Sequence, residues 1–255
     1  MNNYKICFII SLKYYRNYET YIKHYVDNIQ KFYENNLVII IDNNSKYIKD
    51  IIDIFNDYKN IIIITNNSEC KFELGAYKIG INFLLENNLI ENYNYYIFTQ
   101  DNFVINKKYN FEELNEKKIL ACPINNGNNL DECLKENLKC IEGVEILTKL
   151  NLFNEIENFS ICWCCSFILH SSKIVDFFKI VQPIIITKRY QSCDCERYLS
   201  PILYYLNNKI IYSIDGRIDD LQNNYDCWTV DIYNNNSNSF FIKKVQQKNE
   251  NTQDI

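Results

Sequence analysis

Four runs of large apolar residues, none of them alternating with polar ones, limit what this chain can fold into. They are Tyr4 to Ser11, Leu37 to Ile41, Ile61 to Ile64 and Tyr95 to Phe98. A strand that is apolar on both sides must be covered on both faces, as a parallel strand in an α/β sheet is. The stretches between the runs repeat at helical spacing. Tyr18, Tyr21, Ile22, Tyr25, Val26, Ile29, Phe32 and Tyr33 give one amphipathic helix, and Ile48, Ile51, Ile52, Phe55 and Tyr58 a second. Leu74, Tyr77, Ile81, Leu84 and Leu85 give a third, over about residues 73–87. The order β-α-β-α-β-α-β predicts a Rossmann-related, mostly parallel sheet flanked by helices.

The second half is less regular. Ile119 to Pro123, Ile161 to Leu169 and Lys209 to Ile214 read as strands, and Ile174 to Val181 and Asp194 to Leu206 as helices. The segment 234–255 is polar and Asn-rich and is expected to be a flexible tail. One domain over residues 1–233 is therefore expected, with a nucleotide-binding half (1–105) and a less regular half (106–233).

Composition removes several functions. A formal charge of −5 with no basic block gives no attraction to nucleic acid. No apolar run reaches the ~18–20 residues that span a bilayer. The run from Ile6 to Leu12 stops at Lys13 and reads as a strand, not a leader, so a cytoplasmic protein is expected. Eleven cysteines, an odd number, lie mostly in apolar segments, where a reduced thiol behaves as a small hydrophobe. Cys162, Cys164 and Cys165 with Cys193 and Cys195 permit a zinc site by spacing, but Cys-x-Cys is a poor half-site. His170, alone at the edge of an apolar run, reads as structural. The sequence has no Gly-x-Gly-x-x-Gly, no P-loop and no Gly-x-Ser-x-Gly, which removes the common dinucleotide, ATPase and hydrolase signatures.

The chemistry sits at strand ends. In an open α/β sheet, ligands bind outside the carboxyl ends of the strands. The second run ends in Asp42-Asn43-Asn44-Ser45 and the fourth in Thr99-Gln100-Asp101-Asn102. Asp42 could accept hydrogen bonds from a base imide or a ribose, with Asn43, Asn44 and Ser45 as donors at the start of the next helix. Alternatively, Asn44 or Ser45 caps the following helix. Asp101, held at a strand end, suits one ligand of a hard divalent cation whose other ligands are phosphate oxygens. Alternatively it belongs to a polar turn.

Together these motifs resemble the GT-A glycosyltransferases, especially the family-2-like group. Ile41-Asp42-Asn43-Asn44-Ser45 is similar to that group's Val-Asp-Asn-Gly-Ser. Thr99-Gln100-Asp101-Asn102 is similar to its Asp-Gln-Asp-Ser variant, with threonine in place of the first aspartate. Glu73-Leu74-Gly75-Ala76-Tyr77 resembles its glycine-bearing segment. The resemblance covers residues 4–105 well, and the rest by order of elements. It implies a nucleotide-diphosphate sugar donor, uridine-based, held by Ser11, Asp42, Asn44, Ser45, Gly75, Gln100 and Asp101. It also implies Mn²⁺ or Mg²⁺ on Asp101, and inverting transfer to a glycan or other hydroxyl acceptor. The general base it implies is Asp194 or Glu196, in Ser192-Cys193-Asp194-Cys195-Glu196-Arg197. As a bland alternative, both acids simply favour a helix N-terminus.

Two other readings stay open. Thr99 motivates a non-catalytic nucleotide- or carbohydrate-binding module on a degenerate fold. A nucleotidyltransferase would need a glycine-rich loop after the first strand, where this chain has Ser11-Leu12-Lys13-Tyr14-Tyr15-Arg16.

Overall fold

The structure is a computed structural model that describes residues 4–13, 19–105, 107–109, 111, 120–124, 138–159, 161–208, 212–213 and 241–243. The first half alternates β1 (Ile6–Leu12), α1 (Glu19–Phe32), β2 (Asn36–Asp42), α2 (Ile48–Phe55), β3 (Ile61–Thr65), α3 (Phe72–Glu86) and β4 (Tyr95–Gln100). These are the expected elements, each within a few residues of its expected bounds. The second half adds β5 (Phe103–Ile105), β6 (Leu120–Ile124), α4 (Ile141–Lys149), a 3₁₀ turn (Phe153–Asn158), β7 (Ile161–His170), α5 (Ser171–Val181), α6 (Arg189–Leu206), β8 (Tyr212–Ser213) and β9 (Phe241–Lys243).

Seven strands form one sheet in the order β3-β2-β1-β4-β7-β6-β8. Strands β1 to β4 are mutually parallel, and β7 runs antiparallel to both β4 and β6. Every residue of β1 and β2 is buried, whereas the edge strand β3 is half-buried throughout. Because side chains alternate along a strand, the apolar runs feed two separate cores. Phe8, Ile10, Val38, Ile40 and Ile97 pack with Ile22, Tyr25, Val26 and Ile29 of α1 and Ile51 and Phe55 of α2. Cys7, Ile9, Ile39, Ile41 and Phe98 pack on the other face with residues of α3, α4, α5 and α6. Ile52, expected on the inner side of α2, is instead 46% exposed.

Two features of the second half depart from expectation. Phe241–Lys243, inside the segment expected to be a flexible tail, pairs antiparallel with β5. Strand β7 is not regular: Cys164 and Cys165 both adopt left-handed backbone, φ 51° each. The register with β6 shifts there, from Ala121↔Phe167 to Pro123↔Cys162, the mark of a bulge. Lys209 to Ile211 and Ile214, parts of the last expected strand, lie outside the described residues, as does most of the 106–137 segment. Among the described residues no helix is long and apolar enough to cross a membrane.

Candidate functional site

The sheet reverses its winding between β1 and β4. Strands β2 and β3 build outward on one side of β1, and β4 and the later strands on the other. At such a switch point two neighbouring loops diverge and leave a crevice at the carboxyl edge of the sheet. Ser11, Asp42 and Gln100 stand on this edge, since Ser11 is in register with Ile41 on one side and Gln100 on the other, and Leu12 with Asp42.

Hydrogen bonds knit these strand ends together. The Asp101 N–H donates to the Ser11 carbonyl at 2.9 Å, and the Lys13 N–H to Asp101 Oδ2 at 3.1 Å. Asn43 Nδ2 donates to Ser11 Oγ at 3.0 Å. Lys13 Nζ donates to the carbonyls of Asn43 and Asn44 at 3.0 and 3.1 Å. Ser11, Asp101 and the Asp42 loop are thus one bonded unit.

Asp42 is fully buried, and its carboxylate accepts the Ser45 N–H at 2.9 Å and the Ser45 hydroxyl. This folds the loop back on itself and places Asn44 in left-handed backbone at φ 59°, which asparagine tolerates better than most residues. Neither Asn44 nor Ser45 caps α2. That helix begins at Ile48 after Tyr47, with no side-chain cap, so the capping alternative does not hold. Asp42 and Ser45 shape the loop, and Asn44 is its exposed tip.

Gly75 has a backbone role. A Cβ there would lie 2.1 Å from the Cys70 carbonyl oxygen and 3.1 Å from Asn66 Nδ2, so only glycine lets α3 come this close to the loop before it. Asn66, fully buried, was not singled out by sequence reasoning. Its amide donates to Asn43 Oδ1 and the Cys70 carbonyl, both at 2.9 Å, and its oxygen accepts from Ser68 N and Oγ. It follows β3 as Asp42 ends β2, and a polar residue at that matching place was the available signal.

Gln100 faces α3, where its amide donates to Glu73 Oε1 at 2.6 Å. The other Glu73 oxygen accepts from Ser192 Oγ of α6 at 2.7 Å, and Arg189 stands 3.8 Å from Oε1. Glu73 is buried, and it too was missed as a site residue. The signal was an acid on the apolar stripe of α3, in line with Tyr77, Ile81 and Leu84.

Asp194 is buried, and its carboxylate accepts the N–H groups of Lys139 and Cys140 at 2.6 and 3.1 Å and Arg197 Nη1 at 3.2 Å. Cys140 is the N-cap of α4 and has no side-chain cap of its own. Asp194 therefore satisfies the open N–H groups of a neighbouring helix, not of its own, whose start is held by Gln191 Oε1 accepting from Thr187 N and Lys188 N. Glu196 is half-buried and stands four residues beyond Ser192, on the same helix face. That face is the one Ser192 presents to Glu73, and both Glu73 and Glu196 help raise the Cys165 thiol, whose main perturbation is burial.

Thr99 explains the missing first acid. It is fully buried, with its hydroxyl 2.7 Å from Tyr25 Oη of α1, beneath the sheet edge. Among the described residues no three His, Cys, Asp or Glu side chains form a metal-holding group. The residues present fit a divalent cation in one way, with Asp101 as a single protein ligand and phosphate oxygens completing the shell. The described cysteines form no such group either. Cys140, Cys162, Cys164, Cys165 and Cys195 are buried thiols outside any disulfide, and Cys193 is exposed. Burial pushes Cys140 up to about 11. His170 caps α5, its Nδ1 accepting the Ser172 N–H at 3.2 Å.

No protein-family model matches the chain, and no curated protein matches its sequence. Solved structures do. A bifunctional glycosyltransferase, WbbM, in its apo form superposes with a TM-score of 0.50 at 11% identity, over 96% of this chain and 46% of that one. The fold is GT-A-like. Residues 1–349 of S. aureus TarS give a TM-score of 0.47 at 12% identity, over 84% of this chain and 58% of that one. The chain therefore spans about half the length of the structures it matches.

Proposed function

We propose that this protein transfers a sugar from a nucleotide-diphosphate donor, uridine-based, to a hydroxyl of a glycan or similar acceptor. The observation that carries the reading is the bonding of Ser11, Asp101 and the Asp42–Ser45 loop into one unit at the β1/β4 switch point of a GT-A-like sheet. The exposed Asn44 tip would meet the base or ribose, and Asp101 would stand at the diphosphate. A divalent cation, held by Asp101 alone among the described residues, would supply charge stabilisation for the departing diphosphate.

The reaction needs a base for the acceptor hydroxyl. The Asp194 oxygens accept from two backbone N–H groups and Arg197, and the role is assigned to Glu196, half-buried on the α6 face of Ser192. The acceptor oxygen forms a bond to the anomeric carbon while the bond to the diphosphate oxygen breaks with its electron pair. The hydroxyl proton passes to the Glu196 carboxylate. Attack opposite the leaving group inverts the configuration.

A second reading, a nucleotide- or carbohydrate-binding module without turnover, is favoured by the burial of Thr99, which leaves one acid at the strand end. Calorimetric titration with UDP, GDP and dTDP, each with and without Mn²⁺, tests the donor site. Binding of one nucleotide supports it, and the absence of binding by all three refutes it. Release of nucleotide from the matching sugar donor then separates transferase from module, and Glu196→Gln should abolish that release while leaving nucleotide affinity unchanged.

A further inference from the structure

A diphosphate entering at the carboxyl edge of the sheet meets Asp101, just beyond β4, while Asp42 at the end of β2 is fully buried. With threonine at position 99, Asp101 is the single candidate ligand among the described residues for any metal that could offset that charge. Lys13, directly after β1 and exposed, is the residue between the two ends. Its backbone is tied to Asp101 and its ammonium to the carbonyls of Asn43 and Asn44.

Those carbonyls carry no formal charge. Among the described residues the ion pairs are Lys23–Asp27, Lys179–Asp176, Arg189–Glu73 and Arg197–Asp194, so Lys13 is neutralised by none of them. An ammonium has three donors, and two are used. A compact, strongly hydrated charge on a flexible stem is also well suited to meeting phosphate as a point charge.

We propose that Lys13 is a donor-binding residue whose ammonium contacts the diphosphate, bridging the nucleoside loop and Asp101. The inference rests on the nucleotide-diphosphate reading above and adds the group that recognises the charged part of the donor. Its recognition is electrostatic, so it weakens with ionic strength.

The test measures affinity for UDP and for uridine, in EDTA and again in Mn²⁺, for the wild type, Lys13→Met and Lys13→Arg. GDP and guanosine, or dTDP and thymidine, replace the pair if the wild type prefers them. Methionine keeps the apolar stem and removes the charge, and arginine restores the charge. In EDTA, the wild type should prefer UDP to uridine. Lys13→Met should lose about tenfold or more in UDP affinity, keep uridine affinity, and lose the salt dependence of UDP binding. Lys13→Arg should recover most of the loss. If Lys13 only clamps the Asn43–Asn44 carbonyls, Lys13→Met weakens UDP and uridine by the same factor, and the inference is overturned. Equal UDP affinity in wild type and Lys13→Met also overturns it while leaving the donor site intact. A wild type that binds no nucleotide under any condition sinks the donor-site reading itself.

Discussion

Replacing Gly75 with alanine sets two effects of opposite sign against each other. Gly75 lies in the first turn of α3, where alanine is favoured over glycine by about 1 kcal/mol in helix propensity. Propensity alone therefore expects a stabilised protein. Against it, the new methyl would sit 2.1 Å from the Cys70 carbonyl oxygen and 2.5 Å from its carbon. Both are backbone atoms, which cannot rotate away, so overpacking of about 1–3 kcal/mol follows. The same carbonyl accepts from Asn66 Nδ2 and Ser68 Oγ, each at 2.9 Å, and strain there adds about 1 kcal/mol for a weakened hydrogen bond. The net expectation is a loss of about 2 kcal/mol, from the overpacking and hydrogen-bond terms less the propensity gain. For a chain of this length that is a fall in Tm of about 4–8 °C. Thermal unfolding followed by far-UV circular dichroism reads it. Gly80→Ala serves as a control, because its Cβ would meet only the Ile9 side chain, at 2.7 Å, and the smaller loss is expected there. An unchanged or raised Tm for Gly75→Ala would show that the close approach of α3 to the Cys70 carbonyl is not a constraint.

Thr99→Asp restores the acid that the motif lacks, yet it should not create a metal ligand, because the side chain at 99 lies beside Tyr25 in the core. The expected result is a loss of stability of several kcal/mol from a buried charge and no gain in Mn²⁺ dependence of nucleotide binding; a gain without destabilisation refutes the placement. Asp194→Asn removes the charge that Arg197 faces and one acceptor from the start of α4, so urea unfolding should show a loss of about 3 kcal/mol or more for a broken buried pair. An unperturbed midpoint would return Asp194 to candidacy as the base. Native protein treated with a thiol reagent should react first at Cys193, the exposed cysteine among those described, and Cys7 and Cys165 should react only after unfolding. Burial raises all three thiols, so labelling of Cys193 should climb with pH through and above the ordinary thiol range. Rapid native labelling of Cys165 would contradict the packing of β7 on α6.

The first half was legible because its strands and helices declare themselves by period. Ile39, Ile40 and Ile41 can only lie on a strand buried on both faces, and Ile22, Val26 and Ile29 only on a helix stripe. The second half hid its elements for identifiable reasons. Strand β5 and its partner β9 are three residues each, too short for a period to appear, and they are paired by backbone groups that side chains do not report. Helix α4 carries Ile141 at 70% exposure, which blurs its stripe, and its start is satisfied by Asp194 from another helix, 54 residues away. Such a cap leaves no local signature. The antiparallel β7 was readable as a strand but not in direction, since direction depends on the connection through residues that carry no pattern.

Burial divides the residues that motif reading gathered at the strand ends. Asp42, Ser45 and Gly75 are buried, and Gln100 is turned to Glu73; with Asn66 they satisfy one another and hold the loops in place before any ligand arrives. Buried polar groups that are paired in this way stiffen a site, whereas unpaired ones cost stability. In the function proposed above, contact with a ligand would fall instead to the groups that remain at the rim, which are Lys13, Asn43, Asn44 and Asp101. A motif marks both kinds of residue alike, because the frame and the rim must be polar for different reasons. Asp42 serves its loop as an internal acceptor for the Ser45 N–H, whereas Asp101 follows its strand at the carboxyl edge of the sheet. Only the fold separates the two, and it shifts the expected weight of recognition from Asp42 to the Asn44 tip and from the motif's missing acid to Lys13.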